Sequence, residues 1–330
     1  MLNKDLYLNE NIFDNPTLEA TRDGYGKALL KLGEENSNIV VLTADLAEST
    51  RVDEFAKKFP DRFFDCGVAE QNMAAIAAGL GVTGKTAYIS SYAVFSPGKN
   101  WETLRTTVVY NHSNVKIAGH HAGIMTGPDG PTHQATEDIA ITRCWPKMKV
   151  IVPADSIEAY KATYDSAKSA DPYYIRFTRD KTPVITTSKT PYDESKIQTF
   201  WISNNPQVTI ASCGYMLYYA LIAASNLQKD GIETEVLNVS SIKPLDQDTI
   251  LKSVSKTNAI ITIEDHQVDG GMGSAISEML SKIKPTLQEF VGLQNTFAES
   301  GDTKDLIEKY GLSSKSIQEK TLNLIKRKNG

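Results

Sequence analysis

The chain has 330 residues, of which 41% are hydrophobic and 23% are charged. This composition is ordinary for a globular protein, so it excludes a wholly disordered or collagen-like chain, and the length suggests about two domains. Lysine and arginine number 35 and aspartate and glutamate 40, which gives a formal net charge of −5. A negative chain disfavours nucleic acid and anionic membranes as the main partners.

The cysteines and the apolar stretches indicate the compartment. Cys66, Cys144 and Cys213 are far apart and form no CxxC pair, which argues against a zinc site or a disulfide framework and fits a reducing environment. The N-terminal stretch is polar and lacks the apolar core of a signal peptide, and the longest apolar stretch, residues 74–82, is too short to span a membrane. We therefore expect a cytoplasmic protein.

Strand-like and helix-like segments alternate along the chain, which predicts an α/β fold of two three-layer domains with mostly parallel sheets. The elements expected in the first half are helix 17–33, strand 38–43, a short helix opened by a capping box at 50–53 and ended by Pro60, an alanine-rich helix after Glu70, strand 86–90, helix 101–110, strands 115–119 and 149–152, a helix capped at Asp155, and strand 173–178. The alanine-rich helix has small residues on all sides, so we expect tight burial between layers.

Between Asp180 and Asn205 the composition shifts to Thr, Ser, Lys, Pro, Asp and Asn, which is typical of an interdomain linker. The elements expected beyond it are strand 208–213, helix 215–229, strands 234–239 and 259–264 flanking a helix at Asp246, a helix after 269–275, and two tail helices separated near 310–311, the last capped by 316–319. The glycine-rich stretch 270–274 lacks the spacing of a dinucleotide fingerprint, so we interpret it as a tight turn with close helix packing.

The segment GIMTGPDGPTHQ, residues 123–134, is the most unusual part of the sequence. It follows an apolar strand, where loops of parallel α/β sheets bind ligands, and it holds Asp129 and His133 among glycines and prolines. These two side chains could orient a polyhydroxylated substrate. Alternatively, the segment is a structural turn in which Asp129 bonds its own backbone.

Other candidate residues also allow two interpretations. Glu70 could be an ordinary carboxylate in a first helical turn or a buried acid that shares a proton with a ligand. Tyr92 and Phe95 could be core residues or a ring-stacking platform. Of the adjacent His120 and His121, we expect one core residue and one site residue, because no further ligands are spaced for zinc.

A series of short motifs spans most of the chain, from about Thr17 to Leu312. They are ADL (44–46), FFDCGVAEQNMAAIAAGL (63–80), SSYAVF (90–95), GPDGPTHQ (127–134), PADS (153–156), SIKPLD (241–246), DGGMGSA (269–275) and FAESG…LIEKYGL (297–312). In this order they resemble the C-terminal half of transketolase, and GVAEQNM together with DGPTHQ is the most specific part. The resemblance implies a pyrimidine-binding domain over 1–190, a linker over 191–205 and a transketolase C-terminal domain over 206–330.

The sequence contains no GDG motif, which in that family marks the domain that holds the metal and the diphosphate. The resemblance therefore implies one subunit of a split transketolase. Its partner would be an N-terminal-type chain that carries the GDG domain and binds Mg²⁺ or Ca²⁺, so no metal is expected on this chain. The cofactor, thiamine diphosphate, would be shared between the chains, with two copies of each subunit.

The resemblance also assigns roles to single residues. Glu70 matches the catalytic glutamate, which would hydrogen-bond the pyrimidine ring of thiamine diphosphate. Tyr92 and Phe95 match the aromatic pair beside that ring, and Asp45 belongs to a matching motif assigned to the cofactor site. The cofactor would carry a two-carbon ketol unit, as a carbanion, from a ketose phosphate to an aldose phosphate.

Asp129 and His133 match residues that contact the sugar hydroxyls, and His133 is also assigned to catalysis. The positions that match the terminal-phosphate site are Arg22, Ser49, His121 and Arg179. Two arginines and a histidine would make charge-assisted bonds to a dianion, although scattered basic residues usually face solvent.

Two alternatives stay open at this stage. One is a related thiamine-diphosphate enzyme, either a pyruvate-dehydrogenase-like beta subunit or a deoxyxylulose-phosphate-synthase-like chain; the phosphate positions and the GPDGPTHQ loop favour transketolase over both. The other is a subunit that only assembles with or regulates another protein, against which Glu70, Asp129 and His133 argue.

Overall fold

Two sheets organise the chain in the computed structural model, which describes residues 1–330. The elements up to the junction between the sheets are β1 (Leu18–Glu19), α1 (Thr21–Glu35), β2 (Ile39–Thr43), α2 (Asp53–Lys58), β3 (Phe63–Asp65), α3 (Glu70–Val82), β4 (Thr86–Tyr92), α4 (Trp101–Thr103), β5 (Val115–His120), α5 (Asp138–Arg143), β6 (Lys149–Ile151), α6 (Ser156–Ser166), β7 (Tyr173–Arg176) and β8 (Thr182–Pro183). Helical turns of the π type at Val94–Lys99 and Leu104–Tyr110 flank α4.

The remaining elements follow the junction, and all but β12 belong to the second unit. They are β9 (Gln198–Trp201), β10 (Val208–Ser212), α7 (Met216–Lys229), β11 (Thr234–Asn238), β12 (Ser241–Lys243), α8 (Gln247–Thr257), β13 (Ala259–Gln267), α9 (Met272–Ile283), β14 (Leu287–Leu293), α10 (Thr303–Lys309) and α11 (Ser314–Asn329). No helix is both long enough and apolar enough to cross a membrane.

The seven-stranded sheet has the order β12-β6-β7-β5-β4-β2-β3, and the five-stranded sheet has the order β14-β13-β10-β11-β9. All strand pairs within them are parallel except β12–β6 and β11–β9. Because parallel strands end at the same edge, the segments after β2, β4, β5 and β7 meet at the carboxyl edge of the larger sheet.

Apolar side chains alternate between the two faces of each sheet. In β2, Ile39 and Val41 pack into a cluster with α1 and α6 residues, whereas Val40 and Leu42 pack into the cluster that contains α3. In β10, Ile210 packs with α7 and α11, and Ala211 packs into the cluster containing α8. Both sheets are thus buried on both faces, and the predicted α/β fold with mostly parallel sheets is confirmed.

Two expected helix starts were wrong. The first helix begins at Thr21 rather than residue 17, because Leu18 pairs with Pro183 in a two-stranded ribbon. The capping box at 50–53 does not form. The Thr50 hydroxyl donates to the Leu46 carbonyl at 2.8 Å, and α2 starts at Asp53 without a side-chain cap.

The junction and the tail also differ from expectation. The segment predicted as a linker, 191–205, contains β9, which pairs with β11 at the edge of the smaller sheet. Strand β12 leaves the second unit and pairs with β6 of the first sheet, so the two units are joined by backbone hydrogen bonds. The last helix is capped by Ser313, three residues before the expected cap. Such tertiary pairings carry no local signal in composition.

Candidate functional site

Glu70 is the first residue of α3, where the helix dipole favours a carboxylate. Its side chain is only 2% exposed, and Oε2 lies 2.9 Å from the Lys99 ammonium. Asn100 donates from its amide to the Glu70 carbonyl at 3.0 Å. Lys99 keeps 50% of its side chain exposed, so the buried acid is held by a cation that is free to move away.

Four rings form one aromatic patch beside this acid's helix. Tyr92 ends β4, and its ring plane lies within 16° of that of Phe95, with 6.0 Å between ring centroids. His121 stacks on Tyr92 at 3.8 Å, and His133 meets Phe95 edge-on at 5.6 Å. Tyr92 and Phe95 are half-buried rather than core residues, so the patch offers ring faces to a planar ligand.

The two adjacent histidines are both buried but have different neighbours. His120 is fully buried, and its ring lies 5.0 Å from those of both Tyr25 and Phe177. His121 faces Tyr92 and the Arg22 guanidinium, with 3.5 Å between its Nε2 and Arg22 Nη1. Hence one histidine belongs to the core and the other to the edge where the strands end.

Positive charge collects around His121, where Arg22 has no ion-pair partner although Arg51 pairs with Asp23 and Arg179 with Asp180. Burial, followed by the nearby charges of Arg22 and Arg179, lowers the pKa of His121 to about 3, so the ring is neutral at pH 7. Burial, followed by the charge of Arg51, also lowers the pKa of Arg22. Arg22 Nε and His121 Nδ1 are buried without hydrogen-bond partners. An anion placed here would relieve both deficits.

The other expected phosphate contacts lie around this cluster. Ser49 accepts from Arg22 at 2.8 Å through its backbone carbonyl, and no hydrogen bond involves its hydroxyl. Arg179 follows β7, and its Nη1 lies 3.3 Å from Asp180 Oδ1. The partly exposed Arg179 is near enough to lower the pKa of His121.

Asp129 and Asp45 stay apart from these contacts. Asp129 is exposed and its carboxylate makes no hydrogen bond within the chain, so the alternative of a self-bonded turn is not what the loop adopts. Asp45 is exposed after β2, has a φ of 61°, and donates its amide to Asp65 at 2.9 Å. Neither side chain forms a hydrogen bond or ion pair with Glu70 or with the aromatic patch.

Sequence reasoning missed Lys99, Asn100 and Asp65. The π-type turn over Val94–Lys99 aims Lys99 at Glu70, and nothing in the local composition indicates such a turn. The alanine-rich helix is also less enclosed than expected. Ile76 and Val82 are 38% and 62% exposed, so the face of α3 away from the sheet is open. No group of three or more His, Cys, Asp or Glu side chains is arranged to hold a metal ion.

Comparisons with known proteins decide the family. The family described as transketolase, pyrimidine binding domain, matches residues 19–184, and the one described as transketolase, C-terminal domain, matches residues 201–317. The chain belongs to the transketolase family. The resemblance read from the motifs is thereby confirmed, and the two domains of this family imply dependence on thiamine diphosphate.

Three relatives illustrate the match. A protein of Methanocaldococcus jannaschii, provisionally named a transketolase C-terminal section, is 39% identical over 315 residues, covering 93% of this chain and 96% of its own. A 6-deoxy-6-sulfo-D-fructose transketolase subunit of Clostridium sp. is 36% identical over 308 residues, covering 93% and 95%. A solved structure described as a split gene transketolase, inactive beta4 tetramer, is 40% identical with a TM-score of 0.86, covering 93% and 98%.

Longer relatives match over only part of their length. Transketolase-like protein 2 of Mus musculus is 35% identical over 300 residues, which cover 90% of this chain but 47% of that protein. The chain therefore spans about half of a transketolase-like protein of this kind, yet nearly all of the proteins named as sections or subunits.

Proposed function

We propose that this chain is one subunit of a two-chain transketolase that transfers a two-carbon ketol unit from a ketose phosphate to an aldose phosphate. One observation carries the proposal. A single edge of the larger sheet brings together a buried carboxylate at Glu70, half-buried rings at Tyr92 and Phe95, and Arg22, which has no ion-pair partner and lies beside His121. These are the groups that a ring cofactor and an anionic sugar need at opposite ends of one site.

The residues present fit the pyrimidine part of thiamine diphosphate. Tyr92 and Phe95 would contact its ring, and Glu70, whose Oε1 makes no hydrogen bond within the chain, would hydrogen-bond a ring nitrogen. When bound, the cofactor supplies the carbon that carries the two-carbon unit between sugars. Glu70 would exchange a proton with the ring in a site that excludes water. Asp45 would contact the cofactor from the end of β2.

The substrate end would lie against the positive cluster. Arg22, His121 and Arg179 would bind the terminal anion of the sugar, with Ser49 beside them, because charge-assisted bonds to a dianion are strong and directional. Asp129 and His133 would bind the sugar hydroxyls, since the Asp129 carboxylate is free and His133 already lies on the aromatic patch. A phosphate and a sulfonate both satisfy this charge, and a relative is named for a sulfosugar.

A partner chain would complete the site. Glu70 starts α3, whose outer face exposes Ile76 and Val82, and Val68 just before the helix is exposed as well. Exposed hydrophobic side chains close together are typical of a surface that another chain covers. The proposed partner is an N-terminal-type chain with the GDG motif, which would bind Mg²⁺ or Ca²⁺ and the diphosphate. Two copies of each chain would form the assembly; the similar split gene transketolase was solved as an inactive beta4 tetramer.

The test mixes this chain with a GDG-containing chain, thiamine diphosphate and Mg²⁺, and assays ketol transfer from xylulose 5-phosphate to ribose 5-phosphate. We expect turnover by the mixture and none by either chain alone. A parallel assay with 6-deoxy-6-sulfofructose as donor separates a sulfonate enzyme from a phosphate enzyme. Turnover by this chain alone, consumption of pyruvate by the mixture, or a mixture without activity on any sugar donor would contradict the proposal.

A further inference from the structure

The second domain packs against the loop that carries Asp129 and His133. Gln134 Nε2 donates to the carbonyl of Glu299 at 3.1 Å, and the amide of Gln267 donates to the carbonyl of Thr136 at 2.7 Å. The loop 123–134 is therefore bonded at its far end to the segment before α10, and just beyond it to the end of β13.

Asp265, near the end of β13, holds the other end of the loop. Both carboxylate oxygens of Asp265 lie 3.1 Å from the amide nitrogen of Ile124, which donates to them. Asp265 is 2% exposed, and Ile124 directly follows Gly123, where the loop begins. A hydrogen bond to a buried charged acceptor is stronger than one between neutral groups, so the start of the loop is fixed from the second domain.

Glycines in the loop permit this close approach. At Gly123, where φ is +73°, a Cβ atom would overlap the Asp265 carboxylate. At Gly130, where φ is +76°, a Cβ atom would overlap the Ser300 hydroxyl. Both positions also require the left-handed backbone that glycine adopts readily. Gly123 and Gly130 thus let the loop lie against the second domain on both sides of residues 124–129.

The buried Asp265 carboxylate has an opposite charge nearby. Arg176 donates to the Asp265 carbonyl at 2.8 Å and to Asp138 Oδ2 at the same distance. Burial raises the pKa of Asp265, and the Arg176 charge opposes that shift. Because Arg176 comes from the first domain and Asp265 from the second, this charge network crosses the domain boundary at the point where the loop begins.

We infer that Asp265 of the second domain is a positioning residue for sugar binding, which acts through the Ile124 amide to hold the loop bearing Asp129 and His133. The inference rests on the proposed function, because it gives the second domain a role in that same site. Asp265 would act on the sugar only through this loop. Displacing loop side chains by about 1 Å is enough to cost large factors in an enzyme reaction.

The chain offers a matched control on the same strand. Glu264, adjacent to Asp265 and equally buried, accepts from the amides of Met272 and Gly273 at 2.7 and 2.9 Å, and so caps α9 within the second domain. It makes no hydrogen bond to the loop. Asp265→Ala and Glu264→Gln both remove a buried carboxylate, but only Asp265→Ala removes the acceptor of the Ile124 amide and so frees the start of the loop. Asp265→Asn keeps an oxygen that can accept from Ile124 and serves as the rescue variant.

The experiment uses the assembled two-chain enzyme and two readouts. Hydrogen exchange of the peptide covering 121–134 reports the loop, and steady-state kinetics report kcat and KM for the ketose donor. For Asp265→Ala we expect exchange and KM to rise at least about tenfold with kcat changed less, in line with losing one bond to a charged group. Asp265→Asn should recover most of both, and Glu264→Gln should leave both near wild type.

Equal effects of Asp265→Ala and Glu264→Gln, or no effect of Asp265→Ala on loop exchange and KM, would overturn the inference. If Asp265→Ala does not fold, Gly123→Ala replaces it, because the added Cβ displaces the loop without altering the second domain; it must then meet the same two criteria. If the wild-type assembly shows no ketol transfer, the proposed function fails, while the exchange readout still decides whether Asp265 holds the loop.

Discussion

Two arginines of the first domain have opposite electrostatic surroundings. Arg176 donates to the Asp138 carboxylate at 2.8 Å, and the charges of Asp138 and Asp265 outweigh burial and raise its pKa. Arg22 donates to a backbone carbonyl and approaches a neutral histidine, and burial with the charge of Arg51 lowers its pKa. The first cation is neutralised within the chain, whereas the second lacks an anion.

This difference separates structural from binding charge. The buried Arg176–Asp138 ion pair has both partners in the first domain and needs no external anion. Arg22 is partly buried near Arg51 and beside a His121 nitrogen that has no hydrogen-bond partner. Burying this charge costs free energy of folding unless an external anion binds to it. Glu70 is likewise buried, and its only ion-pair partner is the half-exposed Lys99. The exposed apolar face of α3 beside it also lacks a partner within this chain.

Equal contributions of Arg176 and Arg22 to the free energy of unfolding would contradict this difference. Arg176→Met leaves Asp138 buried without its cation and should lower the free energy of unfolding by about 3–5 kcal/mol. Arg22→Met removes an uncompensated charge and should change it by less than about 1 kcal/mol in either direction. Urea denaturation of both variants measures this, and similar losses for the two would show that Arg22 is structural.

Glu70→Gln tests the buried acid. It keeps the size and one oxygen but cannot exchange a proton, so ketol transfer by the assembled enzyme should fall at least about 100-fold. The unfolding midpoint should stay close to wild type. Glu54→Gln, on the exposed side of α2, is the control and should leave turnover unchanged. Kinetics near wild type for Glu70→Gln would refute its proposed role.

Arg179→Ala tests whether the cluster around Arg22 binds the phosphate of the sugar. The loss of one charge-assisted bond should raise KM for a phosphorylated acceptor about tenfold or more. KM for an unphosphorylated acceptor should change far less, because that sugar offers no anion. Lys181→Ala, two residues on and exposed, is the matched control. Equal increases for both acceptors would reject a phosphate contact at Arg179.

The smallest effect concerns His121 and pH. The pKa of His121 is about 3 when folded and about 6.5 in an unfolded chain. Between those values the unfolded chain binds the extra proton, so His121 makes stability fall as pH falls, by about 1.4 kcal/mol per pH unit. Because the unfolded ring is already half protonated at pH 6.5, lowering the pH from 6.5 to 5 should cost wild type about 1.6 kcal/mol more than His121→Gln.

That difference is measured by urea denaturation of the two proteins at each pH. His120 and His266, whose pKa values are also lowered by burial, are common to both and cancel in the comparison. The same pH dependence for wild type and His121→Gln would mean that the ring is not held neutral in the folded protein.

The sequence predicted most of the fold because the signals were local. Strand and helix alternation located nearly every element, Asp155 caps α6 as expected, and α8 lies at Asp246 as expected. The pairing of β1 with β8, the placement of β9 and the crossing of β12 depend on contacts between distant residues, so composition did not predict them. The motif match brought Arg22, Tyr92, Phe95, His121 and His133 to attention together, although Lys99 and Asp265 act through tertiary geometry that no motif encodes.

The central claim is that Glu70 of this chain serves the pyrimidine ring while another chain holds the diphosphate and its metal. The most direct measurement is a structure of the two-chain complex with thiamine diphosphate and Mg²⁺. We predict Glu70 within hydrogen-bond distance of a pyrimidine nitrogen, about 2.6–3.2 Å, with Lys99 displaced from the carboxylate. A complex in which Glu70 stays paired with Lys99 and no bound ring lies near it would contradict the account.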